Sequence, residues 1–293
     1  MIWLLPLGLY FLFFVFNQII MKKISKSAPL AKATALRFLI AGVLIWAFAA
    51  ITKEIHFSTF FLLIVAAGAI NAFGAFCNWN AIKYSVSKTG LFSPMQDVIA
   101  VSLAVIFLDE MSAYNNTLLI PGVILIFLAA FILKGRSNEK GNPGLKWLLF
   151  VLAAMFIWGI TTFLLKVFSF TVAKTVFLTY WYLGSLTGSL PILWLTRKEK
   201  RKLFPTGLKN IPNYTKGIPL TAICILLAML GQYWTLQLAP ASVALPIRSF
   251  GIILLPILVG WWIFKETKKL TKFQKLGFVP GVIGASLIIV SQL

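Results

Sequence analysis

Residues 31–51 read AKATALRFLIAGVLIWAFAAI, and residues 173–195 read AKTVFLTYWYLGSLTGSLPILWL. Ala31-Lys32 and Gly42 of the first stretch return as Ala173-Lys174 and Gly184 of the second, 142 positions later in both cases. Each run has the ~20 apolar residues that a helix needs to cross a hydrocarbon core ~30 Å thick. Working outward, apolar spans are expected at 3–21, 31–51, 59–82, 89–108 and 117–134, then at 146–166, 174–196, 217–238, 242–264 and 275–291. The second five follow the order of the first. Trp79 and Ser87 return as Trp234 and Ser242, Glu110 as Glu266, and Pro121-Gly122-Val123 as Pro280-Gly281-Val282. The chain thus reads as one five-span block written twice, at 1–136 and 145–293, and five is odd. A second block entering after five crossings sits upside down in the bilayer, and inverted repeats framing a midplane site are the architecture of many secondary transporters.

Composition supports the membrane reading. Hydrophobic residues fill 60% of the 293 positions and charged residues 12%, about half the usual share of charge in a soluble domain. Mean hydropathy is +0.92. Barrel strands would alternate over short segments, whereas these runs are continuous. The expected fold is therefore an all-α polytopic membrane protein of ten transmembrane helices in two inverted five-helix repeats.

The net charge of +20 points to topology once the charges are placed. The odd-numbered connectors carry 22 Lys and Arg residues, while the even-numbered ones carry only Lys53, Lys166 and Lys174. Positive residues concentrate in cytoplasmic loops, which puts the odd connectors in the cytoplasm and both termini outside. Nucleic-acid binding would need a folded basic surface with base-reading elements, so no nucleic acid is expected as a partner. Met1-Ile2-Trp3-Leu4-Leu5-Pro6 lacks the positive start of a cleavable signal peptide. Cys77 and Cys224 fall within spans and read as small apolar residues.

Three charges lie inside spans: Arg37, Asp97 and Arg248. Each costs ~2.5–3.5 kcal/mol at a span centre on insertion scales, so such groups face a cavity or a partner. Asp97 is too deep to reach a headgroup and is expected in a solute site or in an ion pair with one of the arginines, Arg248 on the corresponding helix of the other half being the candidate. Arg37 either snorkels to a headgroup or lines a site, and Arg248 is read as lining a cavity. Ser93-Pro94-Met95-Gln96-Asp97 and Leu245-Pro246-Ile247-Arg248-Ser249 place a proline just before a charge in corresponding helices of the two blocks. Proline frees a backbone carbonyl, and interrupted helices at matching positions point to a transporter's site, although prolines are also commoner in membrane helices generally. Asn17, Trp79, Trp158, Tyr180, Trp181 and Gln232 complete the candidate substrate-binding set. Trp3, Trp147, Trp194, Trp261 and Trp262 read as interfacial belt residues. His56 sits in a connector as the single histidine. No metal cluster, Gly-rich phosphate loop or serine elbow appears, so no cofactor, metal or enzymatic activity is expected.

The two five-span halves, Arg37-Phe38 early in span two, Pro94 in span four, and the acidic residues closing spans four and nine together resemble the EamA-like branch of the drug/metabolite transporter superfamily. Thr179-Tyr180 stands where the second half would repeat Arg-Phe, and Ser249 near the counterpart of Pro94. The resemblance implies a secondary carrier for a small organic solute such as an amino acid, metabolite or drug, acting as an exporter in a prokaryotic plasma membrane. Protons are the candidate coupling ion, membrane lipid the surrounding partner, and a homodimer the candidate assembly. The competing class is a polytopic membrane enzyme or lipid-handling protein without transport of soluble solutes, such as a flippase subunit for a lipid-linked sugar. Members of the branch often keep both termini in the cytosol, against the charge count here. A cysteine replacing Lys209 should therefore resist an impermeant thiol reagent in intact cells while one after Leu293 is labelled. Labelling at position 209 alone would reverse the orientation.

Overall fold

A computed structural model describes residues 2–25, 27–54, 57–108, 116–134, 144–197, 213–239, 241–265 and 276–291. The closing acids Asp109, Glu110 and Glu266, His56 and most of the basic connector 197–216 lie outside the described residues. Every regular element among the described residues is helical: α1 (Leu4–Ser25), α2 (Leu30–Ile51), α3 (Phe61–Tyr84), α4 (Val86–Leu91), α5 (Pro94–Leu108), α6 (Asn116–Lys134), α7 (Gly144–Ser169), α8 (Lys174–Leu195), α9 (Asn213–Leu238), α10 (Ala241–Leu258) and α11 (Phe278–Ser291). A π-helical turn, Val259–Ile263, continues α10.

Seven segments are long and apolar enough to cross a membrane, at the positions expected for spans one to four and six to eight. The fourth, Val86–Leu108, consists of α4 and α5 in series. Helices α6, α10 and α11 stand where spans five, nine and ten are expected but are not among the seven. Leu62, Leu63, Ile106, Phe107, Ile120 and Ile124 are exposed, as side chains turned toward lipid should be. In hydrocarbon every backbone polar group needs a partner within the protein, which is why helices recur along the chain.

The chain divides into two compact units, 1–83 with 164–238 and 84–163 with 239–293. Their borders differ from those of the sequence blocks 1–136 and 145–293, since each unit takes segments from both. In the first unit α1 packs on α9, and α2 packs on α8 and α9. Without a hydrophobic driving force between helices in lipid, close packing depends on small residues. Gly68 of α3 faces Gly184 and Gly188 of α8 by this rule. A methyl on Gly68 would overlap the Trp181 carbonyl oxygen, and one on Gly184 the Val65 carbonyl. The Ser185 hydroxyl then donates to the Gly68 carbonyl at 3.1 Å.

Helix ends in this unit are closed by side chains from neighbouring helices. Lys22 of α1 is buried, and its ammonium donates to the carbonyls of Ile82 and Lys83 at 3.0 and 3.3 Å. These are end carbonyls of α3, which a helix cannot satisfy internally. A cation there also complements the helix dipole. The Tyr233 hydroxyl does the same at the end of α7 and just beyond it, its one proton lying between the Phe168 and Val172 carbonyls at 2.9 and 2.8 Å. Its ring stacks on Phe177 with centroids 4.2 Å apart.

In the second unit α6 packs on α11, and α10 contacts α4, α5 and α11. The connector between spans three and four is reduced to Ser85, whose side chain caps α4 by accepting from the Lys88 amide at 3.1 Å. Lys88 is buried within α4. Lys22 and Lys88, counted from the sequence as cytoplasmic connector charges, are thus interior residues. Trp147 also departs from its expected place in an interfacial belt. It is fully buried, donates to the Thr89 hydroxyl at 3.2 Å and meets Phe92 edge-on. The indole N–H finds its acceptor inside the bundle, so the ring has no need of the headgroup layer.

The crossing of α3 and α8 generates a stability prediction. Gly184→Ala must displace backbone, and overpacking of this kind costs about 1–3 kcal/mol. Thermal unfolding in detergent should show a clear loss against Gly8→Ala, whose added methyl meets nothing within 4 Å. Equal melting temperatures for the two variants would refute the close approach.

Candidate functional site

Span four carries a break that creates its chemistry. Helix α4 ends at Leu91, and backbone bonds from Met95 to Phe92 (3.0 Å) and from Gln96 to Ser93 (3.3 Å) restart the chain as α5. Pro94 occupies the first position of the new helix, where its missing N–H costs nothing. Asp97 consequently sits in a first helical turn, where the dipole favours an anion, yet far inside the span Val86–Leu108. Its carboxylate is fully buried and accepts from Arg248 Nη2, forming an ion pair between α5 and α10. Helix α10 carries Pro246 two residues ahead of Arg248, and the π turn follows Pro256. Prolines are a standard cause of such irregular backbone.

The sequence left Asp97 open between a solute site and an ion pair; the pair forms. Arg248 is buried with it, and its Nε finds no acceptor among the described residues. Helix α7 crosses α5 beside the pair. Gly159 is so close there that a methyl would lie within 3.0 Å of the Gln96 carbonyl and against the Ile99 side chain. Trp158, the residue before it, is half-buried.

The first unit holds a second polar group, built on Arg37 of α2. Arg37 is 2% exposed, so it does not snorkel. Its guanidinium lies over the rings of Phe38 and Trp79, 4.9 and 5.1 Å from their centroids. Nη1 points at the Met21 sulfur at 3.6 Å, and Nε has no acceptor among the described residues. Trp79 is fully buried and donates to the Met21 carbonyl at 3.3 Å. Met21 thus joins α1 to both. Asn17 and Gln18, one turn earlier on the same face of α1, are buried, and their side-chain oxygens have no hydrogen-bond partner among the described residues. Tyr182 of α8 lies close by, its ring 6.3 Å from Phe38 and its buried hydroxyl also without a partner among the described residues.

Tyr180 is buried against the Phe61 ring at 4.7 Å, and Trp181 against Phe177 at 5.2 Å, with an unpartnered indole nitrogen. Gln232 is buried on α9. The candidates brought into direct contact are therefore Asp97 with Arg248, and Arg37 with Trp79. Met21 and Tyr182 were missed as site residues. A methionine at the end of an apolar run, between Ile20 and Lys22, carries no sequence signal. Tyr182 gave one, since it stands beside Tyr180 and Trp181 in a span otherwise poor in aromatic pairs.

Single substitutions at the ion pair should cost more than the double one. Removing one partner leaves a buried unpaired charge, which is worth about 3–5 kcal/mol, whereas replacing both with apolar residues is often near neutral. Melting in detergent should rank Arg248→Leu below Asp97→Leu/Arg248→Leu. A double variant less stable than either single one would contradict the pairing.

Residues 145–290 match the model of the EamA-like transporter family. No curated protein matches the chain. A solved structure titled "Crystal structure of protein" is similar in fold, with a TM-score of 0.64 and 14% identity over 99% of this chain and 98% of that one. The helical membrane architecture and the family match lead to one conclusion: the chain belongs to the EamA-like transporter family of the drug/metabolite transporter superfamily.

Proposed function

We propose that this membrane transporter is a secondary carrier that moves a small organic solute by alternating access and serves as an exporter. In this reading it has ten spans in two inverted halves, 1–136 and 145–293, and sits in the plasma membrane of a prokaryote. No nucleotide-binding loop is present in the sequence, so the driving force is the solute's own gradient combined with an ion gradient, with the proton as coupling ion. The observation that carries the reading is the buried ion pair of Asp97 and Arg248 on two interrupted spans. An intramembrane ion pair is a functional element by default, because hydrocarbon tolerates it only at a cost.

The pair supplies a physical route to coupling. A carboxylate on the solute competes for Arg248, whose fork binds carboxylates bidentately and stays charged. Asp97, released from its counter-ion among apolar helices, is then more favourable protonated than ionised. Solute binding and proton uptake are thereby linked at one charge, so the two cross together and export proceeds while the outward solute gradient exceeds the inward proton gradient; departure of the solute returns Arg248 to Asp97 with loss of the proton.

Purified protein in liposomes, offered a panel of labelled solutes with and without a pH gradient, tests the carrier reading. Asp97→Asn should abolish gradient-driven transport while sparing exchange between equal pools. Wild-type rates of gradient-driven transport in that variant would make Asp97 structural. No gradient-linked movement of any solute by the wild type would defeat the reading as a whole.

A further inference from the structure

The charges inside the spans do not balance. The sequence has seven acidic residues: Glu54, Asp97, Asp109, Glu110, Glu139, Glu199 and Glu266. Only Asp97 lies within a span, and Arg248 takes it. Arg37 is the second intramembrane guanidinium, and no carboxylate pairs with it among the described residues. Another buried cation of the first unit shows the contrast. Lys22 reaches two backbone carbonyls at a helix end, whereas Arg37 reaches a thioether, a weak acceptor, and two ring faces. A desolvated guanidinium has five N–H donors, and rings and sulfur leave most of them without an oxygen. Leaving a buried charged donor unsatisfied costs more than the ~1–3 kcal/mol of a neutral one.

Other unsatisfied groups stand around it. Tyr182 contributes a buried hydroxyl within electrostatic range of the guanidinium. Trp79 offers a flat ring against which the guanidinium already lies. Asn17 and Gln18 present buried amide groups one turn from Met21. All come from α1, α2, α3 and α8 within the first unit. Donors that match two oxygens in a plane, with an aromatic wall beside them, describe a receptor for an oxyanion.

We propose that the Arg37 cluster is an oxyanion-binding site, taking the carboxylate or phosphate group of the transported solute or of an anionic lipid headgroup. The guanidinium and the Tyr182 hydroxyl bind the oxygens, Trp79 packs against the adjoining apolar part, and the Asn17 and Gln18 amides accept any N–H or O–H next to the anion. The assignment to cargo rests on the carrier reading above; the oxyanion site itself does not.

The test measures binding, with no transport step. Wild-type protein in phosphatidylcholine nanodiscs is titrated with benzoate, phenyl phosphate, and benzamide as the neutral isostere, read by tryptophan fluorescence and melting temperature. Benzoate or phenyl phosphate should bind and raise the melting temperature while benzamide does neither. Arg37→Gln should weaken binding at least about tenfold, as loss of a charge-assisted bond implies. Arg37→Lys should retain part of the binding, and Tyr182→Phe should weaken it without abolishing it. Without anion, Arg37→Gln should melt no lower than wild type, because the charge it removes has no counter-ion. A merely structural arginine would instead lower the melting temperature.

Equal anion binding by wild type and Arg37→Gln overturns the site, and so does absence of any Arg37-dependent response to these anions or to lipid. A second set of nanodiscs containing phosphatidylglycerol identifies the source. An Arg37-dependent stabilisation seen only there supports the site with a lipid headgroup as occupant. The two readings also fail separately. Arg37-dependent binding with no gradient-linked transport leaves the oxyanion site standing and removes the carrier. Gradient-linked transport that Arg37→Gln leaves unchanged, with no anion binding, does the reverse.

Discussion

A charge placed among apolar helices must be met by an opposite charge, a dipole, an oxygen or a ring face, because hydrocarbon provides no water to do so. Much of the interior of this protein is arranged around that constraint. Asp97 is met by Arg248 and by the positive end of α5. Lys22 is met by the end carbonyls of α3, and Lys166 lies 4.2 Å from the centre of the Phe170 ring. Each solution also fixes geometry, since the partner comes from a different helix or from the next turn of the chain. Charge satisfaction and helix placement are therefore one problem here.

The helix interruptions follow from the same scarcity of partners. Breaking span four at Phe92–Ser93 frees backbone groups that a continuous helix would satisfy, and the gain is a new N-terminus deep in the span. A carboxylate at that place is stabilised by the dipole in a setting that otherwise disfavours it. Span nine treats its cation differently. Helix α10 runs through Arg248 and loosens into a π turn after Pro256. The two helices that are alike in the sequence thus present their charges on unlike backbones. That difference agrees with Ser249 standing near the counterpart of Pro94, and with only the first half carrying Arg-Phe.

Close contact without a hydrophobic driving force is the second organising demand. Gly68, Gly184 and Gly188 let α3 and α8 approach until backbone meets backbone, and Gly231 does the same for α9 against Pro6 and Tyr10 of α1. Such crossings join helices that are distant in sequence. They explain why the compact units draw on both sequence blocks: small residues mark where a helix can be approached, and their partners lie in the other block. Arg37 is held within this arrangement, between rings of α2 and α3 and the face of α1 that carries Met21.

Hydropathy, span length and the three intramembrane charges were determined by the sequence alone, because transfer of each residue into hydrocarbon is a local property that adds along the chain. The all-helical class, most span positions and the special standing of Arg37, Asp97 and Arg248 were legible for that reason. Arg248 was the candidate partner of Asp97 because it stands on the corresponding helix of the other half; that the pair forms depends on how α5 and α10 pack. The interior placement of Lys22, Lys88 and Trp147 was not legible. A lysine next to a span end has the same local signature whether it faces a loop or a helix terminus, and a tryptophan the same whether it meets a headgroup or Thr89. Those outcomes were decided by tertiary structure, through hydrogen-bond partners that come from residues dozens of positions away.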